Sequence, residues 1–186
     1  MFAKKPAPAA PQPKPQALTA SASAAGWPML ALTQDYGLMG HLAPVDTPLL
    51  GWLNIANQPT VLLTQCQMQA LGGQSLAAEA APEVVLPKSA LVALMPRDEA
   101  GQRSARLQLP PQGHRAALTV GPFLIRANVR VPGDISLRNV YNTASGLMVA
   151  VTEAEIHCQV PGTKFPDLKA EVVLVNKTLV QFYHPL

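Results

Sequence analysis

Charge is scarce in this chain: 13% of its 186 residues are Asp, Glu, Lys or Arg, and its net charge of +3 lies in Lys4, Lys5 and Lys14. Beyond residue 26, eleven basic residues meet eleven acidic ones, so the body is neutral. A neutral body argues against phosphate binding over a broad basic surface. Cysteine occurs twice, and Cys66 and Cys158 stand in unlike contexts without a paired-ligand spacing. That excludes a disulfide framework and a zinc pair, and reads as two core thiols in a reducing cytoplasm. No apolar run reaches the ~18 residues of a membrane span. Prolines and Lys14 break up the stretch where an export signal needs its apolar segment, although "SASAAG" resembles a cleavage site.

Catalytic signatures are missing too. The chain has no GxSxG elbow, no HExxH and no cysteine in a recognisable nucleophilic context. "LGGQS" at Leu71 to Ser75 has two glycines without phosphate-loop spacing or a following lysine, and reads as a loop. His157 and Cys158 adjoin, but neighbouring strand residues point to opposite faces, so they make no metal pair. His41, His114 and His184 have no sequence partner that marks an acid, base or ligand. The expectation is a protein that is not an enzyme, with no catalytic residue, metal or cofactor.

Proline is abundant, at 19 copies, and concentrated in the opening "MFAKKPAPAAPQPKPQALTASASAAG". With three lysines, no acid and little to bury, residues 1–26 read as a disordered tether with polyproline character. Apolar residues make up 48% of the chain, enough for a core.

The body repeats itself. "PEVVLPKSALVALMP" lies against "AEVVLVNKTLVQFYHPL", "YGLMGHLAP" against "FLIRANVRVP", "LLGWLN" against "LRNVYN", and "VLLTQCQM" against "MVAVTEAEI". The offset drifts from 87 to 89, and identities fall in order: Pro44 with Pro132, Asn54 with Asn142, Thr64 with Thr152, Lys88 with Lys177, Pro96 with Pro185. This reads as a diverged tandem duplication.

Phe123, Ile125, Ala127, Val129 and Val131 alternate with Leu124, Arg126, Asn128 and Arg130, a half-buried strand; Tyr36, Leu38, Gly40 and Leu42 are the inward set of the earlier copy. Leu49, Trp52 and Leu53, like Leu137, Val140 and Tyr141, have helical spacing, with Asn54 and Asn142 ending the turns in a left-handed conformation. Core packing is the expected role of Trp52 and Tyr141. Leu62, Thr64, Cys66 and Met68 predict another inward-facing strand, matched by Ala150, Thr152, Ala154 and Ile156. A strand, a corner at "PKS" or "NKT" and a last strand complete each unit. The expected fold is mostly β: two tandem small curved-sheet or barrel-like domains, each with one short helix, at 27–100 and 117–186, with a connector at 101–116 and a short strand at "RLQL".

An aromatic-led strand ending in proline, then "LxxxLN", "LTxA", "VNK" and a final strand resembles an uncharacterised family of small bacterial β domains, a domain of unknown function. The match covers most of 32–96 and 118–186. The second copy fits better, through "FLIRANVRVP", "VTEA" and "LVNKTLV"; the first has Leu86 and Pro87 in place of "VN", and Gly51 and Asn139 stand where an acid is expected. A looser likeness is to SH3-like and Sm-like barrels, whose last two strands join at such a corner. The resemblance implies a fold and no catalysis.

One basic constellation remains in the body: Arg126, Asn128 and Arg130 on the outer face of one strand, with Arg138 following. Pairing with Glu153 and Glu155 on the neighbouring strand accounts for it structurally. The functional expectation is a cytoplasmic interaction or assembly module that binds a protein partner or itself. The alternative is nucleic-acid binding through Arg126, Asn128, Arg130 and Arg138.

Overall fold

A computed structural model describes residues 26–72, 79–107, 109–131, 139 and 146–186. Residues 1–25 of the expected tail, most of the "LGGQS" loop, and Leu137, Arg138, Val140, Tyr141 and Asn142 lie outside these residues. Ten strands run β1 (Trp27–Leu32), β2 (Tyr36–Leu42), β3 (Thr60–Ala70), β4 (Glu79–Pro87), β5 (Ala93–Pro96), β6 (Gln112–Val120), β7 (Phe123–Val131), β8 (Met148–Cys158), β9 (Leu168–Asn176) and β10 (Val180–Pro185). Helix α1 (Leu49–Leu53) precedes β3, α2 (Glu99–Arg106) follows β5, and single 3-10 turns at Lys88–Ala90 and Lys177–Leu179 form the two corners.

All ten strands join one antiparallel sheet, in the order β10-β6-β7-β8-β9-β5-β1-β2-β3-β4. Among the described residues the hydrogen-bond order is linear, with β4 and β10 at its ends, and neither half closes into a barrel on its own. Within residues 27–96 the order is β5-β1-β2-β3-β4, and within 112–185 it is β10-β6-β7-β8-β9. The registers coincide as well. Leu32 opposite Gly37 corresponds to Thr119 opposite Leu124, both displaced by 87 residues. Thr64 opposite His41 corresponds to Thr152 opposite Asn128. Ala31 opposite Leu94 corresponds to Leu118 opposite Tyr183, displaced by 87 and 89. In β4 and β9 the match is one residue away from the best sequence match: Leu62 faces Val85 and Ala150 faces Leu174, a shift of 89 rather than the 88 that aligns "EVVL" with "EVVL".

The sheet winds around two apolar clusters that both halves build. One gathers Phe123, Ile125, Val129, Val151 and Val173 from the later strands with Leu30, Leu32 and Met95 from the earlier. The other gathers Leu38, Leu49, Leu53, Leu63 and Leu91 with Met148, Ala150, Val172 and Leu174. Strands β1, β5 and β9 therefore bury both faces. Where they are buried on both sides their sequences run apolar without alternation, as central strands do, whereas β9 opens with exposed Lys169 and Glu171. Burial of Met29–Leu32, Ala93–Pro96 and Val172–Asn176 on both sides makes the middle of the sheet the common wall of the two clusters.

Several expectations change. Strand β1 was absent from the expected unit, and β6 begins inside the expected connector. Of the expected "RLQL" strand, Arg106 closes α2 and Leu107 turns, while Gln108 lies outside the described residues. Asp98 caps that helix by accepting from the Gly101 N–H at 2.9 Å, and Glu99 pairs with Arg103 one turn on at 2.9 Å. Tyr36 is exposed, unlike Leu38, Gly40 and Leu42. Leu62 is exposed because Gln65, at φ 52°, bulges β3 and reverses the alternation: Val61 and Leu63 point inward before it, Cys66 after it. Glu153, 88 positions later and at φ 53°, makes the matching bulge in β8. Asn54 ends α1 at φ −89° and not in the left-handed region. Its amide instead spans the halves, donating to the Met148 carbonyl at 3.0 Å and accepting from the Met148 N–H at 2.8 Å.

Candidate functional site

The arginine face is the natural starting point. Strand β7 alternates as expected, its inward residues fully buried, with Arg126 exposed and Asn128 and Arg130 half-buried. Register sets Arg126 across from Glu155, whose carboxylate pairs with Lys169 at 3.0 Å and is held below the ordinary glutamate range by that lysine. Asn128 donates to Glu153 at 2.8 Å. Arg130 donates to the Thr152 hydroxyl and the Pro111 carbonyl, both at 3.0 Å. It lines a 520 Å³ cleft with Arg106, Leu109, Glu153 and Glu171, where Arg106 and Glu171 form an ion pair. The strand thus holds Arg126, Asn128 and Arg130 on one face, but interleaved with carboxylates. Arg138 lies outside the described residues.

His157 and Cys158 diverge as strand alternation requires: the imidazole sits 3.0 Å from Asp167, while Cys158 packs against the first cluster. Both thiols are free, and burial pushes the Cys66 thiol up. Among the described residues no group of His, Cys, Asp and Glu is arranged to hold a metal ion, and no helix is long and apolar enough to cross a membrane.

The repeated corner lysine is less ordinary than a turn residue. Lys88 is 3% exposed, and its ammonium donates to the Trp52 carbonyl at 3.1 Å and the Ile55 carbonyl at 3.4 Å while lying 4.9 Å from the centre of the Trp52 ring. Burial lowers its pKa from the ordinary 10.5. It thereby ties the 3-10 corner to the end of α1, giving Trp52 a second function beside packing.

Between the halves lies a 280 Å³ pocket lined by Leu30, Met39, Met68, Arg97, Phe165 and Leu168, among others. The Phe165 ring covers Gly37, where an added Cβ would meet it at 2.4 Å, and makes an edge contact with Phe123 at 6.2 Å between centroids. Among the described residues of that lining Arg97 is the one ionisable group, and none pairs a nucleophile with a base.

The sheet edges carry the more telling contrast. Where β9 meets β5, Leu174 stands opposite Leu94 and Val175 opposite Ala93, all four at 0% exposure. The positions displaced by 89 are Val85 and Leu86 on β4 and Tyr183 and Phe182 on β10; Leu86 is buried and Tyr183 half-buried. Val85 is 62% exposed and Phe182 is 58% exposed. Leu62, beside Val85, is 45% exposed, whereas Ala150, at the matching place, is 4%. Sequence reading missed this site because exposure of an edge depends on strand order, which the local pattern does not encode. Compared with protein-family models, curated proteins and solved structures, the chain matches none.

Proposed function

We propose that the chain is a duplicated small β unit that serves as a non-enzymatic interaction and assembly module for a protein partner, and that the free edges β4 and β10 are its binding elements. The observation that carries this reading is the pair of terminal strands, each with one neighbour in the sheet among the described residues and each presenting a large apolar side chain, Val85 or Phe182, at more than half exposure. Such edges are templates for strand addition, in which main-chain hydrogen bonds supply affinity and side-chain positions supply specificity. The coincident registers, the paired bulges at Gln65 and Glu153 and the paired corners support the duplication. The likeness to small bacterial β domains rests on its motifs alone. Two free thiols fit the cytoplasmic placement inferred from the sequence.

The nucleic-acid reading draws less support, because Glu153 and Glu155 share the face of Arg126, Asn128 and Arg130. Purification of the tagged full chain from its native cells, with and without nuclease, followed by mass spectrometry, decides between the two. A stoichiometric protein that survives nuclease is the expected result. Loss of every partner on nuclease treatment would overturn the assembly reading in favour of the arginine face.

A further inference from the structure

We infer that the 280 Å³ pocket between the halves binds a small monocarboxylate with an apolar body, its carboxylate held by Arg97 and its body laid along Leu30, Met39 and Phe165. The site stands apart from the sheet edges and goes beyond the assembly reading.

Strand register places the lining. Leu30 of β1 lies opposite Met39 of β2, and Met39 opposite Gln67 of β3, so the three share one row across the sheet. The next row sets Leu32 opposite Gly37 and Gly37 opposite Gln69. Arg97 follows β5, two residues along from Met95, which lies opposite Leu30; its N–H donates to the Pro28 carbonyl at 2.8 Å. The segment between β8 and β9 closes the other side. There the Phe165 N–H donates to the Thr163 hydroxyl at 3.0 Å, the Thr163 N–H donates to the Val160 carbonyl at 3.2 Å, and the Phe165 ring rests on Gly37 and against Phe123. Both halves thus build the apolar wall.

The duplication supplies a built-in control for this face. Leu186 takes the place of Arg97 in the later half, its N–H donating to the Arg115 carbonyl at 3.1 Å as that of Arg97 does to Pro28. Displaced by 87, 88 and 89 residues, Met39, Gln67 and Ala80 correspond to Arg126, Glu155 and Lys169, which form one row across β7, β8 and β9. In that row Glu155 meets Lys169 at 3.0 Å, so the later half answers its own charge. The earlier half carries no charge in the row and one beside it. Among the described residues the Arg97 guanidinium makes no ion pair or hydrogen bond, and neither do the side-chain amides of Gln67 and Gln69. Gly37 stands where the later half has Leu124, and the Phe165 ring closes over the space of that missing side chain.

These features select the ligand. A lone guanidinium presents a planar fork that matches one carboxylate, and it leaves a doubly charged phosphate half neutralised. The amides of Gln67 and Gln69 can donate to the same anion. No carboxylate stands among the described residues of the lining, so a cationic head has no partner there. Leu30, Met39, Phe165 and Leu168 take the apolar body out of water. The volume is at the small end of ligand pockets and suits an octyl chain or a phenyl ring.

Isothermal titration calorimetry of the full chain with octanoate and with cinnamate tests this. Saturable binding at one site per chain is expected for at least one of them, with none for octylamine, which reverses the charge, or acetate, which lacks the body. Arg97→Gln replaces an exposed side chain, so circular dichroism should match wild type while the carboxylate binds about tenfold more weakly or worse. Met39→Glu, at a side chain 51% exposed, sets a carboxylate on the wall and is expected to abolish binding. Absence of binding by both carboxylates would overturn the inference. So would octylamine or acetate binding as tightly as octanoate, or undiminished binding in Arg97→Gln or Met39→Glu. None of these outcomes bears on the sheet edges, which the purification with nuclease judges separately.

Discussion

The internal junction and the free edges use matching backbone positions and different side chains. At the junction small and medium residues, Ala93 and Leu174, are closed over completely; at the edges Phe182 and Val85 are open to water. The edges also carry features that discourage indiscriminate pairing. Strand β4 contains Pro82, Pro87 and the acids Glu79 and Glu83, and β10 is irregular between Val180 and Phe182. Proline removes a donor from the outer ladder and charge repels a strand laid beside it. The difference teaches that matching backbone positions are closed over or left open according to where strand order places them.

The sharpest way to break this comparison is to make the same truncation in both places. Leu174→Ala removes a side chain with 0% exposure that packs in the second cluster, and is expected to cost about 2–5 kcal/mol. Val85→Ala, at the matching position on β4, is expected to change stability by less than about 0.5 kcal/mol when the chain is dilute enough to be monomeric. Urea denaturation of both variants measures this. Similar losses would mean that β4 is covered within the monomer and that the contrast between junction and edge is wrong.

A second comparison concerns what holds the halves together beyond apolar contact. Asn54 satisfies both backbone groups of Met148, a residue 2% exposed, so Asn54→Ala leaves a buried N–H and carbonyl without that partner. The expected loss is about 1–3 kcal/mol. Asn54→Asp keeps the acceptor but turns a carboxylate oxygen toward the Met148 carbonyl, and is expected to destabilise as well. Gly146→Ala reports on the same contact from outside: at φ +96° an added Cβ would meet the Asn54 side chain at 2.4 Å. Full stability of these variants in thermal unfolding would remove Asn54 from the junction.

The legible part of the fold was the part that alternates. Strand β7 could be read residue by residue because one face is buried and the other is not. Likewise α1 followed from the spacing of Leu49, Trp52 and Leu53. Strand β1 could not be read, since "WPMLAL" is buried on both faces at its end and a short apolar run has no period to detect. The bulge at Gln65 defeated the assignment of Leu62, because one residue in the left-handed region reverses the alternation and Gln does not announce it. Helix α2 had a visible cap in Asp98 followed by Glu99, but the prolines and glycines around it read as connector. Of the site, the placement of Arg126, Asn128 and Arg130 on one face was readable. The two open edges were not, because strand order across a sheet is a long-range property.

The paired corners offer a smaller test through pH. Lys88 is buried against two carbonyls and the Trp52 ring, and its folded pKa lies below the ordinary 10.5. Between the folded pKa and 10.5 the unfolded chain binds more protons than the folded one, so this lysine makes stability rise with pH across that window. Below the window the cost of burying the charged amine is constant. The stability difference between wild type and Lys88→Met, from urea denaturation at a series of alkaline pH values, is expected to shift in favour of wild type as pH rises toward 10.5. A flat difference would place the ammonium in water.

The smallest effect is expected on the arginine face, and its smallness is informative. Arg126 is exposed opposite Glu155, which already pairs with Lys169, so Arg126→Ala is expected to change stability by less than about 0.5 kcal/mol. If the face is structural, neither single-stranded nor duplex probes bind at low salt, and replacing Arg126 changes nothing. If instead the face binds phosphates, affinity falls steeply with salt, and losing one phosphate contact lowers the salt slope by about one. Such a slope change, measured by fluorescence anisotropy on the full chain, would move the working surface from the sheet edges to strand β7. Without it, the carboxylates of Glu153 and Glu155 account for the arginines on that strand.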